Sequence, residues 1–375
     1  MIDPQEFVEC LQANNVEFFT GVPDSLLKEF CACLEHVPAA GRHIISANEG
    51  GAVALALGYH LATRKIPLVY LQNSGLGNII NPLLSLADSE VYSIPLLLAI
   101  GWRGEPGVHD EPQHKKQGRV MLSMLEAMEI PYSILGSEAD HAGASLRDAL
   151  AYVQKNSAPF ALVIKKGTFK NFVGSRGGKA VFELTREVAI QQVLGFLDER
   201  DVVVSTTGMV SREVYEHRDN NGEGHQRDFL TVGGMGHASQ IALGLALQRP
   251  DRSVYCLDGD GAVLMHMGAL AIAGALKARN FKHIILNNGA HDSVGGQPTV
   301  GLAVDMLGIA RAAAYERVLR AQTQRELEAC LIDLKSSNGP SLLEIHVRCG
   351  ARKELGRPAT TPVQNKSALM DFLDH

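Results

Sequence analysis

Short runs of valine, isoleucine and leucine alternate along the whole chain with longer stretches whose apolar residues recur at helical spacing. In the first half the short runs are EFFTG (17–21), HIIS (43–46), PLVYLQ (67–72), IPLLLAIG (94–101), YSIL (132–135) and FALVIK (160–165). In the second half they are DVVVS (201–205), FLTVG (229–233), SVYCLD (253–258), HIILN (283–287) and SLLEIHV (341–347). Helical patterns such as EGGAVALALGYHLAT and HASQIALGLALQR lie between them. Strands apolar on both faces, separated by helices, predict parallel sheets covered on both sides. The polar, glycine-rich segment NFVGSRGGKAVFE (171–183) divides the pattern into halves of similar size. The expectation is two doubly wound α/β domains, 1–175 and 185–375, joined by a linker at 176–184.

Composition narrows the class. No apolar run reaches the roughly 18 residues of a membrane span. The opening MIDPQEFVEC has neither a basic nor an apolar region of the kind a signal peptide needs, so a cytoplasmic protein is expected. A formal charge of −6 argues against general nucleic-acid affinity, which needs a clustered basic face. The six cysteines are scattered and form no C-x-x-C pair, so reduced thiols are expected rather than a disulfide framework or a zinc site.

The first candidate chemistry lies in YCLDGDGAVLMHMG (255–268), which reads as strand, sharp turn and helix. Asp260 stands there between Gly259 and Gly261. One crossover helix, about Ala262 to Ala278, leads to the next strand, which ends at Asn287 and Asn288. Ligands of open α/β sheets gather at the carboxyl ends of strands, where helix N-termini turn their N–H groups outward. Hard oxygen donors beside such a terminus suit Mg²⁺ shared with a diphosphate. The alternative is that Asp260 caps the helix that follows. Other nucleotide motifs fit poorly, because Leu264 stands where G-x-G-x-x-G needs its third glycine and no G-x-x-x-x-G-K-[ST] occurs.

A G-D-G followed about 26 residues later by N-N resembles the signature of thiamine diphosphate enzymes. The resemblance implies the thiamine diphosphate-binding fold, with a pyrimidine-binding domain first, a diphosphate-binding domain second and no middle domain. It implies that Asp260, Asn288 and the Ala290 carbonyl ligate Mg²⁺, with Gly259 and Gly261 close to the cofactor; Asp258 and Asn287 shape their turns. Activation of this cofactor requires a poorly solvated carboxylic acid at N1′ of its aminopyrimidine. Asn48-Glu49-Gly50-Gly51-Ala52 resembles the family's N-E-G-x-A, which makes Glu49 that acid, although a first-turn acid also stabilises a helix without any catalytic role. TVGGMGHASQ resembles the segment that bends the cofactor, with Met235 between its rings and the Gly233 carbonyl on its amino group. STTGMVSRE resembles the family's earlier diphosphate-domain loop, which implies Thr206, Thr207 and Gly208 near the cofactor, and Asn73 of QNSGLGN joins the implied cofactor-binding set.

FTGVPDSLLKEF, GWRGEPGVHDEPQHKKQG, IKKGTF, NNGAHDSVGGQPTVG and ELGRPATTPVQNK narrow the resemblance to the phosphonopyruvate decarboxylase family, close to the sulfopyruvate decarboxylases. That family implies a carboxy-lyase converting phosphonopyruvate to phosphonoacetaldehyde and CO₂, in phosphonate biosynthesis. Acid–base candidates are Asp24, His109, Asp110, Glu111, His114, His291 and Asp292, each of which has loop capping as its alternative. The phosphonate has Arg103, Lys115, Lys116, Arg352 and Arg357 available, or the Asn73-Ser74-Gly75 loop. A homodimer at minimum is implied, with the cofactor held between subunits and a tetramer left open. A sulfopyruvate decarboxylase is the near alternative, and a non-catalytic cofactor-binding partner subunit the distant one.

Overall fold

The computed structural model describes residues 1–36, 42–135, 139–174 and 181–375. It contains two compact units, Met1–Gly177 and Gly178–His375. Residues 176–180 of the expected linker lie outside the described residues.

The first unit is built on β1 (Phe19–Gly21), β2 (His43–Ile45), β3 (Leu68–Gln72), β4 (Leu96–Gly101), β5 (Tyr132–Leu135) and β6 (Pro159–Ile164). All pair in parallel, in the order β2-β1-β3-β4-β6-β5. Side chains alternate across the sheet. Leu68, Tyr70, Leu97 and Leu162 enter one core, while Val69, Leu71, Leu98 and Val163 enter the other. Both faces are therefore dry, which explains the unbroken apolar runs. The helix Glu49–Thr63 begins where Asn48 caps it, the side-chain oxygen accepting from the Gly51 N–H at 2.8 Å. It ends at Arg64, in the left-handed conformation.

The second unit contains β7 (Val202–Ser205), β8 (Asp228–Leu230), β9 (Val254–Gly259), β10 (Phe281–Asn287), the short antiparallel pair β11 (Ala290–His291) and β12 (Gln297–Pro298), then β13 (Arg317–Ala321) and β14 (Ser341–His346). Its main sheet is parallel, in the order β13-β14-β10-β9-β7-β8, with Tyr255 and Leu257 facing one core and Val254 and Cys256 the other.

Three expectations change. The crossover helix is two helices, Asp260–Met265 and Gly268–Leu276, since the backbone leaves helical geometry at His266 (φ −132°, ψ 50°). Gly268 would cost roughly 1 kcal/mol inside a helix and instead opens the second one. The strand expected at 229–233 stops at Leu230, ahead of the Gly233-Gly234 turn. The edge strand β13 escaped notice because its arginines hide the apolar pattern; Arg317 pairs with Asp333 and Arg320 with Glu344. No helix among the described residues is long and apolar enough to cross a membrane.

Candidate active site

At the carboxyl edge of the first sheet, Asp24 follows β1, Glu49 follows β2, Asn73 to Gly75 follow β3 and Arg103 follows β4. Glu49 opens its helix with 5% of its surface exposed. Asn78 Nδ2 donates to its Oε2 at 2.8 Å, and no cation pairs with it among the described residues. Burial raises its pKa against the lowering effect of that hydrogen bond. A Cβ on Gly75 would overlap the Glu49 carboxyl. Gly75→Ala is therefore expected to displace that carboxyl and lower kcat about 100-fold with the fold retained, since displacements near 1 Å cost that much; steady-state kinetics and a melting curve check it.

Asp24 is fully buried. Gln72 Nε2 donates to it at 2.5 Å and the Leu26 N–H at 3.1 Å, and burial again raises its pKa. Arg103 grips Asp110 with two N–H groups, through Nε at 2.8 Å and Nη2 at 2.5 Å, and donates from Nη1 to Ser25 Oγ at 2.7 Å. The pair holds Asp110 far below the usual carboxylate range even against burial, so Asp110 is ionised near neutral pH and clamps Arg103. The Asn73 amide bonds the Arg103 backbone, donating to O at 2.8 Å and accepting from N–H at 3.2 Å, which secures that loop. His114 is buried with Nδ1 unpartnered, and burial lowers its pKa to about 4. His109, Lys115 and Lys116 are exposed, and Glu111 is half-buried.

In the second unit, Thr206 to Gly208 follow β7, Gly233 and Met235 follow β8, Gly259 to Gly261 close β9, and Asn287 to Ala290 close β10. Because β7, β9 and β10 are neighbours, these turns share one edge. Asp260 is the first residue of its helix and 1% exposed. It accepts from Thr299 Oγ1 and from the backbone N–H groups of Asn288 and Gly261. Burial pushes its pKa up to about 6 against these hydrogen bonds, and no cation pairs with it among the described residues. A Cβ on Gly301 would overlap its carboxylate. Thr299 and Gly301 were not singled out from the sequence, because nothing local links them to a residue some 40 positions earlier.

Asn287 is fully buried, donating to the Gly301 carbonyl at 2.9 Å and to Glu344 at 2.7 Å. Asn288 Oδ1 accepts from the Ala290 N–H at 3.0 Å. A buried carboxylate lacking a counter-ion, beside an amide oxygen with a spare lone pair, fits a hard divalent cation. Asp258 turns away from this edge, accepting from the Gly259 N–H at 3.1 Å and facing His283 at 3.5 Å. His291 is half-buried, and burial lowers its pKa to about 4. Asp292 is committed three ways: Oδ2 accepts from Arg186 at 3.0 Å, Asn288 at 2.7 Å and the Gly350 N–H at 2.8 Å. Arg352 is engaged by Glu187 and Glu216, and Arg357 is exposed. All six cysteines are free thiols.

Residues 5–127 match the N-terminal TPP binding domain of thiamine pyrophosphate enzymes, and residues 206–345 match the C-terminal TPP binding domain. The phosphonopyruvate decarboxylase of Streptomyces viridochromogenes is 34% identical, over 97% of this chain and 93% of its own. That of Streptomyces hygroscopicus is 34% identical over 99% and 94%. The sulfopyruvate decarboxylase of Methanosarcina acetivorans is 26% identical over 93% and 92%. Matched in both halves and along nearly its whole length, the chain belongs to the thiamine diphosphate-dependent 2-oxo acid decarboxylases, which are carboxy-lyases, within the phosphonopyruvate decarboxylase family.

Proposed function

We propose that this chain decarboxylates phosphonopyruvate to phosphonoacetaldehyde and CO₂, with Mg²⁺ beside thiamine diphosphate, as a step in phosphonate biosynthesis. The observation that carries the reading is the pair of buried carboxyls without counter-ions among the described residues, Glu49 in one unit and Asp260 in the other. A cofactor with an aminopyrimidine at one end and a metal-bound diphosphate at the other needs one of each. Asp260, Asn288 and the Ala290 carbonyl would hold the ion. Thr206, Thr207, Gly208, Gly259 and Gly261 would border the diphosphate, with Gly233 and Met235 beside the rings. When bound, thiamine diphosphate supplies the carbanion that adds to the ketone and the sink for the electrons released with CO₂.

The chain's own part is protonic and electrostatic. Glu49, whose ionised form burial disfavours, would hold a proton for N1′. Burial disfavours the ionised form of Asp24, which favours an acid role for it near neutral pH. His114 and His291 stay neutral there and so can accept or relay one. Arg103 is a half-buried cation at the first unit's edge, and each of its terminal nitrogens keeps one further N–H for a phosphonate oxygen.

The helix Glu49–Thr63 exposes Leu55 and Leu61, Ala238–Gln248 exposes Ile241 and Leu247, and Gly268–Leu276 exposes Ile272 and Leu276. Such unpartnered apolar faces support the homodimer as the smallest active assembly. Free thiols suit a reducing cytoplasm.

Sulfopyruvate is the second reading, since a relative acting on it covers nearly the whole chain and a sulfonate is also a tetrahedral anion. Stripped protein given phosphonopyruvate is expected to turn over only after thiamine diphosphate and Mg²⁺ are restored, with the higher kcat/KM on phosphonopyruvate. A clear preference for sulfopyruvate would replace the substrate, and turnover indifferent to the cofactor would sink the reading.

A further inference from the structure

The loop after β10 carries Asn288 and Asp292, and two distant segments, at Arg186 and at Cys349–Gly350, bond to it. Asn288 Nδ2 donates to Asp292 Oδ2, which also accepts from Arg186 and from the Gly350 N–H. Arg186 opens the helix Arg186–Phe196, is 5% exposed, and grips Glu213 with Nε at 2.8 Å and Nη2 at 2.9 Å. The Cys349 thiol donates to the Asn288 carbonyl at 3.1 Å.

An amide has similar bulk at both ends, so packing alone leaves its orientation undecided. Fixing Nδ2 on the Asp292 carboxyl oxygen settles it and turns Oδ1 the other way, where the Ala290 N–H leaves a lone pair available. Loop closure alone would need only a backbone donor. Burying a guanidinium is costly unless its carboxylate partners are well placed, and here it has two, from different elements.

We infer that Asp292 and Arg186 are positioning residues for the metal site: Arg186 anchors Asp292, and Asp292 orients the Asn288 amide so that its oxygen faces Mg²⁺. The inference rests on the Mg²⁺ reading given above. Metal ligands are commonly oriented by such hydrogen-bonded neighbours, whose loss costs about 10–100-fold in metal affinity.

The test titrates Mg²⁺ into metal-free protein and follows thiamine diphosphate binding by calorimetry, beside steady-state kinetics and melting curves of the metal-free variants. Asp292→Ala is expected to raise the half-saturating Mg²⁺ about 10–100-fold, with a much smaller fall in kcat at saturating metal. Asp292→Asn keeps an oxygen for Asn288 and is expected to recover part of the loss. Arg186→Met strands Glu213 and is a harsher variant, so the Asp292 pair carries the test. An unchanged half-saturating Mg²⁺ in a folded Asp292→Ala protein would overturn the inference, as would a loss confined to kcat, the mark of an acid–base role. A wild-type protein indifferent to Mg²⁺ would instead overturn the metal reading, and this inference with it.

Discussion

Glu49→Gln is expected to lower kcat by about two to four orders of magnitude while thiamine diphosphate still binds. Glutamine matches the shape of glutamate, and its amide oxygen can still accept from Asn78. What it lacks is a carboxyl proton to share with a ring nitrogen. The effect is large because the native group is poorly solvated, so its proton has few competing acceptors. Linkage supplies an independent check. Burial raises the folded-state pKa of Glu49 above its unfolded value, so the cofactor-free protein has this group's full stabilising contribution at low pH and loses it as pH rises through the raised value. Glu49→Gln should flatten that limb of the melting temperature against pH. Turnover within a few-fold of wild type would remove Glu49 from the role proposed for it.

Asp260→Ala is expected to raise the half-saturating Mg²⁺ by more than about 100-fold and to abolish turnover at ordinary metal concentrations, because a direct ligand matters more than a neighbour that orients one. In the metal-free protein burial pushes the Asp260 pKa up to about 6. Below that pH the metal must displace a proton, so its apparent affinity should fall by up to about tenfold per pH unit; above it the dependence should vanish. Asp260→Asn should weaken the metal and remove the pH dependence together. Calorimetry between about pH 5 and 8 measures both, and an affinity independent of pH in the wild type would contradict Asp260 as a ligand.

The strands and the helix Glu49–Thr63 were legible because their signals are local. Apolar runs of both sheets, an asparagine cap and a short range of residues carry them. The same holds for the location of the candidate carboxyls: Glu49 and Asp260 each follow a strand and open a helix, which puts them at a carboxyl edge wherever the strands pair. The break at His266 and the edge strand β13 were less legible, because glycine and arginine there blur the periodicity.

By itself the sequence determined the alternation of strand and helix, the parallel α/β class and the chemical types at each turn, since these follow from periodicity and spacing within one element or two. Only the tertiary structure decided what those side chains touch and how deeply they are buried. Nothing in the chain's order signals that Arg103 neutralises Asp110, that Thr299 and Gly301 enclose Asp260, or that Arg186 reaches Asp292 across 106 positions. The physical reason is that a carboxyl's proton affinity and a side chain's freedom depend on burial and on partners brought together by folding. Asp24, Asp110 and Asp292 carry the same group and were indistinguishable as acid–base candidates; one is buried and raised, one clamped and lowered, and one spent on three donors.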